Sequence, residues 1–211
     1  NDPMKLDRIF YLTWLLLAPG GAFAQQRPNI LFIFTDDQSH RTVSCYDEAY
    51  PWVKTPNIDA LAAKGVRFTH AYMGTWCMPS RATMLTGHHQ YGVESMRMKG
   101  RYPGSVYDPS QCPFWPSVFR KQGYTTAQIG KWHTGVDSGY GRDWDHQLVW
   151  SRPKYPENAG NYYEDQIIEV NGVRQRISGY TTDWYTDQAI DFIEGKNRDP
   201  KGPWYLWLCY G

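Results

Sequence analysis

Apolar and polar positions along this chain switch between two periods. Asn29 to Phe34 carries a continuous apolar run between Pro28 and the acidic pair Asp36 and Asp37. Its length and its β-branched and aromatic content predict a strand buried on both faces, as in a parallel sheet. The pattern then lengthens. Thr55 can cap a helix that has Pro56 in its first turn and Asp59 near its positive end. Ile58, Leu61 and Ala62 fall on one face of it, and Gly65 can end it. Val66 to Ala71 is a second strand candidate. A helix start with Pro79 in its first turn follows, continuing through Leu85 to a stop at Gly87. Trp115 to Gln122 predicts another helix, stopped by Gly123. Thr125 to Ile129 predicts a strand that runs into Gly130, Lys131, Trp132 and His133. A last helix from about Thr182 to Glu194 would turn Trp184, Ala189, Ile190 and Ile193 inward, and Pro203 to Leu208 predicts a final strand.

Strands alternating with helices imply an α/β fold, a mainly parallel central sheet flanked by helices. Residues 134–180, rich in Gly, Tyr, Trp and charge, are expected to form long loops or a small hairpin layer over the sheet. The chain stops at Gly211, three residues after the last apolar strand, so we expect residues 25–211 to be the front part of a longer domain.

The first 24 residues follow a different logic. Lys5 and Arg8 make a basic start, Ile9 to Ala18 is mostly apolar, and Ala22-Phe23-Ala24 offers a small-residue cleavage site. This is a signal-peptide pattern, too short to span a membrane. Asn1, Asp2 and Pro3 precede Met4 and read as a scar. The expected product is exported, periplasmic or extracellular, with no stable membrane insertion. Export bears on the four cysteines. Cys45, Cys77, Cys112 and Cys209 show no CxxC pair and no zinc-like spacing. A disulfide among Cys45, Cys112 and Cys209 and buried free thiols are equal alternatives.

The chain has 211 residues, 41% hydrophobic and 20% charged, which suits a globular core. Its formal net charge of +1 gives no electrostatic pull toward nucleic acid. The 10 Trp and 16 Tyr suit ordinary packing, or a pocket whose rings stack on sugars or aryl groups.

Three polar clusters stand at the ends of predicted elements, and in open α/β sheets ligands collect beyond the carboxyl ends of the strands. Asp36 and Asp37 repel each other unless a hard cation such as Ca²⁺ or Mg²⁺ sits between them; a solvated turn is the plain alternative. Cys77 lies just outside a helix N-terminus, where free N–H groups favour an anion. Arg81, four residues on, can turn a guanidinium back toward the same point and suits sulfate or phosphate oxygens. Three residues between Cys77 and Arg81 are too few for a cysteine-phosphatase loop. Lys131 and His133, two apart in extended chain, can face one site, one neutralising an anionic ester and the other shuttling protons.

Together these residues resemble a specific family. Residues 77–81, C-M-P-S-R, match the C-x-P-S-R signature of the formylglycine-dependent sulfatases, of the alkaline-phosphatase-like superfamily. The match continues through Ala82 to Gly87. The segments at 28–37, 55–68, 123–133 and 203–208 are similar too, in the family's order. The resemblance implies an alkaline-phosphatase-like α/β fold and a Cys77 oxidised to formylglycine by a separate maturation enzyme. The aldehyde hydrate would attack sulfur, the alcohol would leave, and loss of the second hydroxyl proton would expel sulfate. It further implies that Asp36, Asp37 and modified Cys77 bind a divalent cation, Ca²⁺ before Mg²⁺. Arg81 would steady the diol, Lys131 would contact sulfate, and His133 would act as base in release. The family's remaining metal ligands, a leaving-group His and another Lys, have no counterpart before Gly211. Bulky Trp76 and Met78 flank the cysteine.

The expected substrate is a sulfated small molecule or glycan, with sulfated carbohydrate preferred. His88, His89 and the basic run Arg97 to Arg101 could line an anionic sugar pocket or stay on the surface. Two alternatives stand beside this reading: a phosphodiester or phosphonate hydrolase of the same superfamily, and a sulfated-glycan-binding protein without catalysis.

Overall fold

The computed structural model describes residues 27–89, 113–158 and 160–211. The signal-peptide pattern, Cys112 and the basic run at 97–101 lie outside them. The described chain runs β1 (Ile30–Phe34), α1 (Pro56–Lys64), α2 (Cys77–Thr86), α3 (Trp115–Lys121), β2 (Thr125–Trp132), β3 (His146–Ser151), β4 (Ile167–Val170), β5 (Val173–Arg176), α4 (Thr181–Ile193) and β6 (Trp204–Cys209). The six strands form one sheet in the order β1-β6-β2-β3-β4-β5. The first four in that order pair in parallel; β3–β4 and β4–β5 are antiparallel. The fold is the expected α/β one with a mainly parallel sheet.

Both faces of the sheet are covered at its centre. Tyr205, Trp207 and Cys209 of β6 meet Ala82 and Leu85 of α2, with Phe114, Trp132, Trp144 and Val149 around them. The alternate residues Trp204, Leu206 and Leu208 meet Tyr185, Ala189 and Phe192 of α4, with Ile129, Leu148 and Trp150. A strand buried on both faces needs apolar side chains on both, which accounts for the unbroken run in β6.

Several elements depart from expectation. β1 is not buried on both faces: Leu31 and Ile33 are 43% and 52% exposed, and β1 pairs only with β6 among the described residues. Its other face stacks on the core, with Phe32 against Trp207 at 4.6 Å. α1 forms as expected, but buries none of its residues. Thr55 does not cap it; its hydroxyl donates to Asp59 at 2.9 Å and meets Ser44 instead. Val66 to Ala71 is exposed and pairs with no strand among the described residues. In α4 the inward residues are Tyr185, Ala189 and Phe192, while Ile190 and Ile193 stay exposed. Residues 134–180 hold more than loops: β3 extends the parallel sheet, and the β4–β5 hairpin continues it edgewise rather than lying over it.

One close approach fixes the strand ends. Gly130 pairs with Cys209 at φ +100°, and a Cβ there would stand 1.9 Å from the Cys209 carbonyl oxygen. Only glycine permits both the dihedral and the contact.

Candidate active site

The parallel register aligns the carboxyl ends of β1, β6 and β2, since Phe34 and Gly130 both pair with Cys209. Asp36 therefore emerges beside Lys131 and His133. The third segment, α2, is delivered to the same edge by its own packing: Met78, Ala82 and Leu85 are buried. The chain enters α2 through a tight approach, where a Cβ on Gly74 would stand 2.3 Å from the Ser80 amide nitrogen. The Ser80 hydroxyl donates to the Gly74 carbonyl at 2.9 Å, closing that turn. Gly87 ends the helix in the left-handed conformation, its N–H bonded to the Thr83 carbonyl. Cys77 is the first helical residue rather than a flanking one, because the extended Trp76 already takes the cap position.

The Cys77 sulfur lies 3.2 Å from His133 Nδ1. Trp76 meets the same imidazole edge-on, with centroids 5.9 Å apart. Arg81, almost wholly buried, does not turn back to Cys77. It donates to the Lys131 carbonyl at 2.9 Å and to Asp36 Oδ2 at 3.1 Å, and lies over the Phe34 ring. The Lys131 ammonium donates to the same Asp36 oxygen. Two cations thus converge on one carboxylate oxygen, next to the Cys77–His133 pair.

Electrostatics follow from this crowding. Burial opposes the charge of Asp36, but the Lys131 hydrogen bond and the Lys131 and Arg81 charges outweigh it and hold the carboxyl below its usual range. Burial, reinforced by the charges of Lys131, Arg152 and Arg81, lowers His133 to about 4, so the imidazole is neutral at physiological pH. Buried Cys209, facing Arg81 from beneath the site, is pushed up to about 11, mainly by desolvation, and stays an inert thiol.

Asp36, Cys77, Arg81, Lys131 and His133 are thus brought together. Asp37 is exposed, in the left-handed region at φ 53°, and makes no side-chain hydrogen bond or ion pair among the described residues. His88 and His89 lie on the exposed side of the α2 terminus. Cys45, Cys77 and Cys209 are free thiols, so the free-thiol alternative holds for these three. Two neighbours of Lys131 were not foreseen. Its ammonium lies 5.2 Å from the centre of the Tyr162 ring and 5.8 Å from that of Trp150. The short run Leu148, Val149, Trp150 was the available signal for the second; nothing local marks Tyr162.

No group of three or more His, Cys, Asp or Glu side chains able to hold a metal occurs among the described residues. Ca²⁺ takes six to eight oxygens. Asp36 and Asp37 alone offer too few oxygens for such a shell, and Asp36 Oδ2 is already taken by Arg81 and Lys131. No helix among the described residues is long and apolar enough to cross a membrane.

Comparison with known proteins agrees with this geometry. The Sulfatase family model matches residues 28–211. N-acetylglucosamine-6-O-sulfatase of Bacteroides thetaiotaomicron is 36% identical over 184 residues, covering 86% of this chain and 30% of its own. Human Arylsulfatase A is 43% identical over 131 residues, covering 58% of this chain and 24% of its own. A solved structure of a protein in complex with its substrate, D-glucosamine-2-N,6-O-disulfate, superposes with a TM-score of 0.69 at 31% identity, covering 87% of this chain and 34% of that one. This chain therefore spans about a third or less of the length of these relatives. With a family match over residues 28–211 and, over 86% of its length, a relative 36% identical, the chain belongs to the sulfatase family of the alkaline-phosphatase-like superfamily.

Proposed function

We propose that the protein hydrolyses sulfate esters of carbohydrates, with Cys77 as the precursor of its nucleophile. The observation that carries this is the Cys77–His133 contact at 3.2 Å beside the Asp36, Arg81 and Lys131 cluster. A mere core thiol has no use for a neutral imidazole and two buried cations. Converted by a maturation enzyme to formylglycine, residue 77 would supply an aldehyde hydrate able to attack sulfur and then release sulfate.

The other side chains have separable tasks. His133 Nδ1 stands where an oxygen on residue 77 would meet it. Being neutral at physiological pH, the ring offers a lone pair to accept that proton. Lys131 and Arg81 place positive charge where negative charge collects on sulfuryl oxygens, and both are preorganised by Asp36. The Arg81 bond to the Lys131 carbonyl ties helix to strand, so the two cations keep their spacing. Trp76, 42% exposed and packed on His133, limits water on one side. A divalent cation, Ca²⁺ or Mg²⁺, held in part by Asp36 and Asp37 would add charge against the ester oxygens.

The substrate class rests on relatives: one is named for N-acetylglucosamine 6-O-sulfate, another is bound to a disulfated glucosamine. The N-terminal signal pattern supports an exported enzyme. The test is turnover of 4-nitrophenyl sulfate and glucosamine 6-O-sulfate by the full-length protein and by Cys77→Ala, alongside peptide mass spectrometry of the Cys77 segment. The expected result is an aldehyde-bearing peptide in the active protein and a loss of more than about 10³-fold in kcat/KM in the variant. Substantial residual turnover would sink the covalent scheme.

A further inference from the structure

Arg152 directly follows β3, at the edge of the sheet that carries Lys131 and His133. Register pairs Ser151 with Trp132, so the chain leaves β3 beside the point where it leaves β2 for His133. The Arg152 guanidinium donates to the Tyr162 hydroxyl at 2.5 Å and lies 5.6 Å from the centre of that ring. The Lys131 ammonium lies 5.2 Å from the same centre. Tyr162 is itself packed on buried Trp150 at 5.1 Å. Both cations thus lie against one ring, which packs on the α4 side of the sheet, opposite α2.

The two cations differ in how they are neutralised. Lys131 is paired with Asp36. Arg152 forms no ion pair among the described residues. A guanidinium carries five N–H donors, and the tyrosine hydroxyl takes one. The plain alternative is an arginine whose stem packs on an aromatic ring while its head rests in water. Against it, the hydrogen bond to Tyr162 holds the head at the site, and its charge reaches the imidazole of His133. A fixed, unneutralised fork suits the oxygens of a sulfate.

Resting on the sulfatase reading, we propose that Arg152 and Tyr162 form a second subsite, which holds a further sulfate on the same sugar that presents its scissile sulfate to Lys131. Both charges lie against the same ring, close enough for one sugar to reach both. Arg152 would act as a specificity determinant, not as part of the reacting centre.

The test compares kcat/KM of the full-length protein on glucosamine 2-N,6-O-disulfate and on glucosamine 6-O-sulfate. We expect a wild-type preference for the disulfate, and a fall of about ten-fold in that ratio in Arg152→Gln, arising in KM. Arg152→Lys, which keeps charge but not the fork, should retain part of the preference and shows whether the position tolerates change. A ratio unaltered in Arg152→Gln, whether both rates fall together or neither does, overturns the proposal. If the wild-type protein hydrolyses neither sugar, it is the sulfatase reading that fails. Calorimetric titration of the disulfate then decides the subsite: binding weakened in Arg152→Gln supports it, and binding unchanged or absent from wild type overturns it.

Discussion

Replacing Asp36 by Asn tests whether one carboxylate holds the site together. Its side chain is 10% exposed, and those of Arg81 and Lys131 are 1% and 6% exposed. Asn keeps the shape and one acceptor but no charge, so two buried cations face each other unpaired. Breaking a buried ion pair by removing one partner costs about 3–5 kcal/mol. The retained amide oxygen can still take a hydrogen bond from Arg81, which places the loss near the lower end, about 3 kcal/mol. For a chain of this size each kcal/mol moves Tm by about 2–4 °C, so Asp36→Asn should melt about 6–12 °C lower. The assay is thermal unfolding followed by near-UV circular dichroism in chelator-treated buffer, with and without added sodium sulfate. Sulfate binds the freed cations and should recover more of the Tm in the variant than in wild type. A variant melting within about 2 °C of wild type, with no sulfate effect of its own, would refute the argument, because it would mean the cations are already solvated.

Two more perturbations probe the frame. Gly130→Ala forces a Cβ against the Cys209 carbonyl at a positive φ, and should cost at least about 3 kcal/mol in urea unfolding; Gly123→Ala, also at positive φ but away from that contact, should cost less. Burial holds His146 below its ordinary 6.5. Below pH 6.5 the unfolded chain takes a proton that folded His146 resists, so stability declines as pH falls through that range. In His146→Gln that decline, measured as urea midpoint against pH, should be shallower.

What could be read in advance divides by how local its cause is. α2 and its site residues were legible because each signal is contained in a few residues: proline in the first turn, glycine in the left-handed cap, a cysteine four residues before an arginine. Lys131 and His133 were legible as a pair because they stand two apart in extended chain, although the strand expected over Thr125 to Ile129 in fact runs on through Gly130 to Trp132. β3 was not, since Leu148 to Trp150 is a short run whose extended state depends on pairing with β2 and β4. The reverse error occurred at Val66 to Ala71, which has strand-like composition but no pairing partner among the described residues. The inward face of α4 was assigned correctly at Ala189 and Trp184 and wrongly at Ile190 and Ile193, which are apolar yet lie off the line of Tyr185, Ala189 and Phe192. Within the site, that Arg81 would serve Asp36 rather than Cys77 depends on the depth of α2 against the sheet, which no local pattern encodes.

The position of β6 between β1 and β2 sets a timetable for biosynthesis. β1 has no hydrogen-bonded neighbour among the described residues except β6, and Trp204 closes back on Asn29 across 175 residues. At about 5–20 residues per second, roughly 9–35 s pass between the two segments leaving the ribosome. Through that interval β1 is an apolar strand with both edges open, and the segment around Cys77 has no completed sheet to dock against. Through the same delay Cys77 stays accessible, since the sheet edge that seats it is completed only when β6 pairs with β1 and β2.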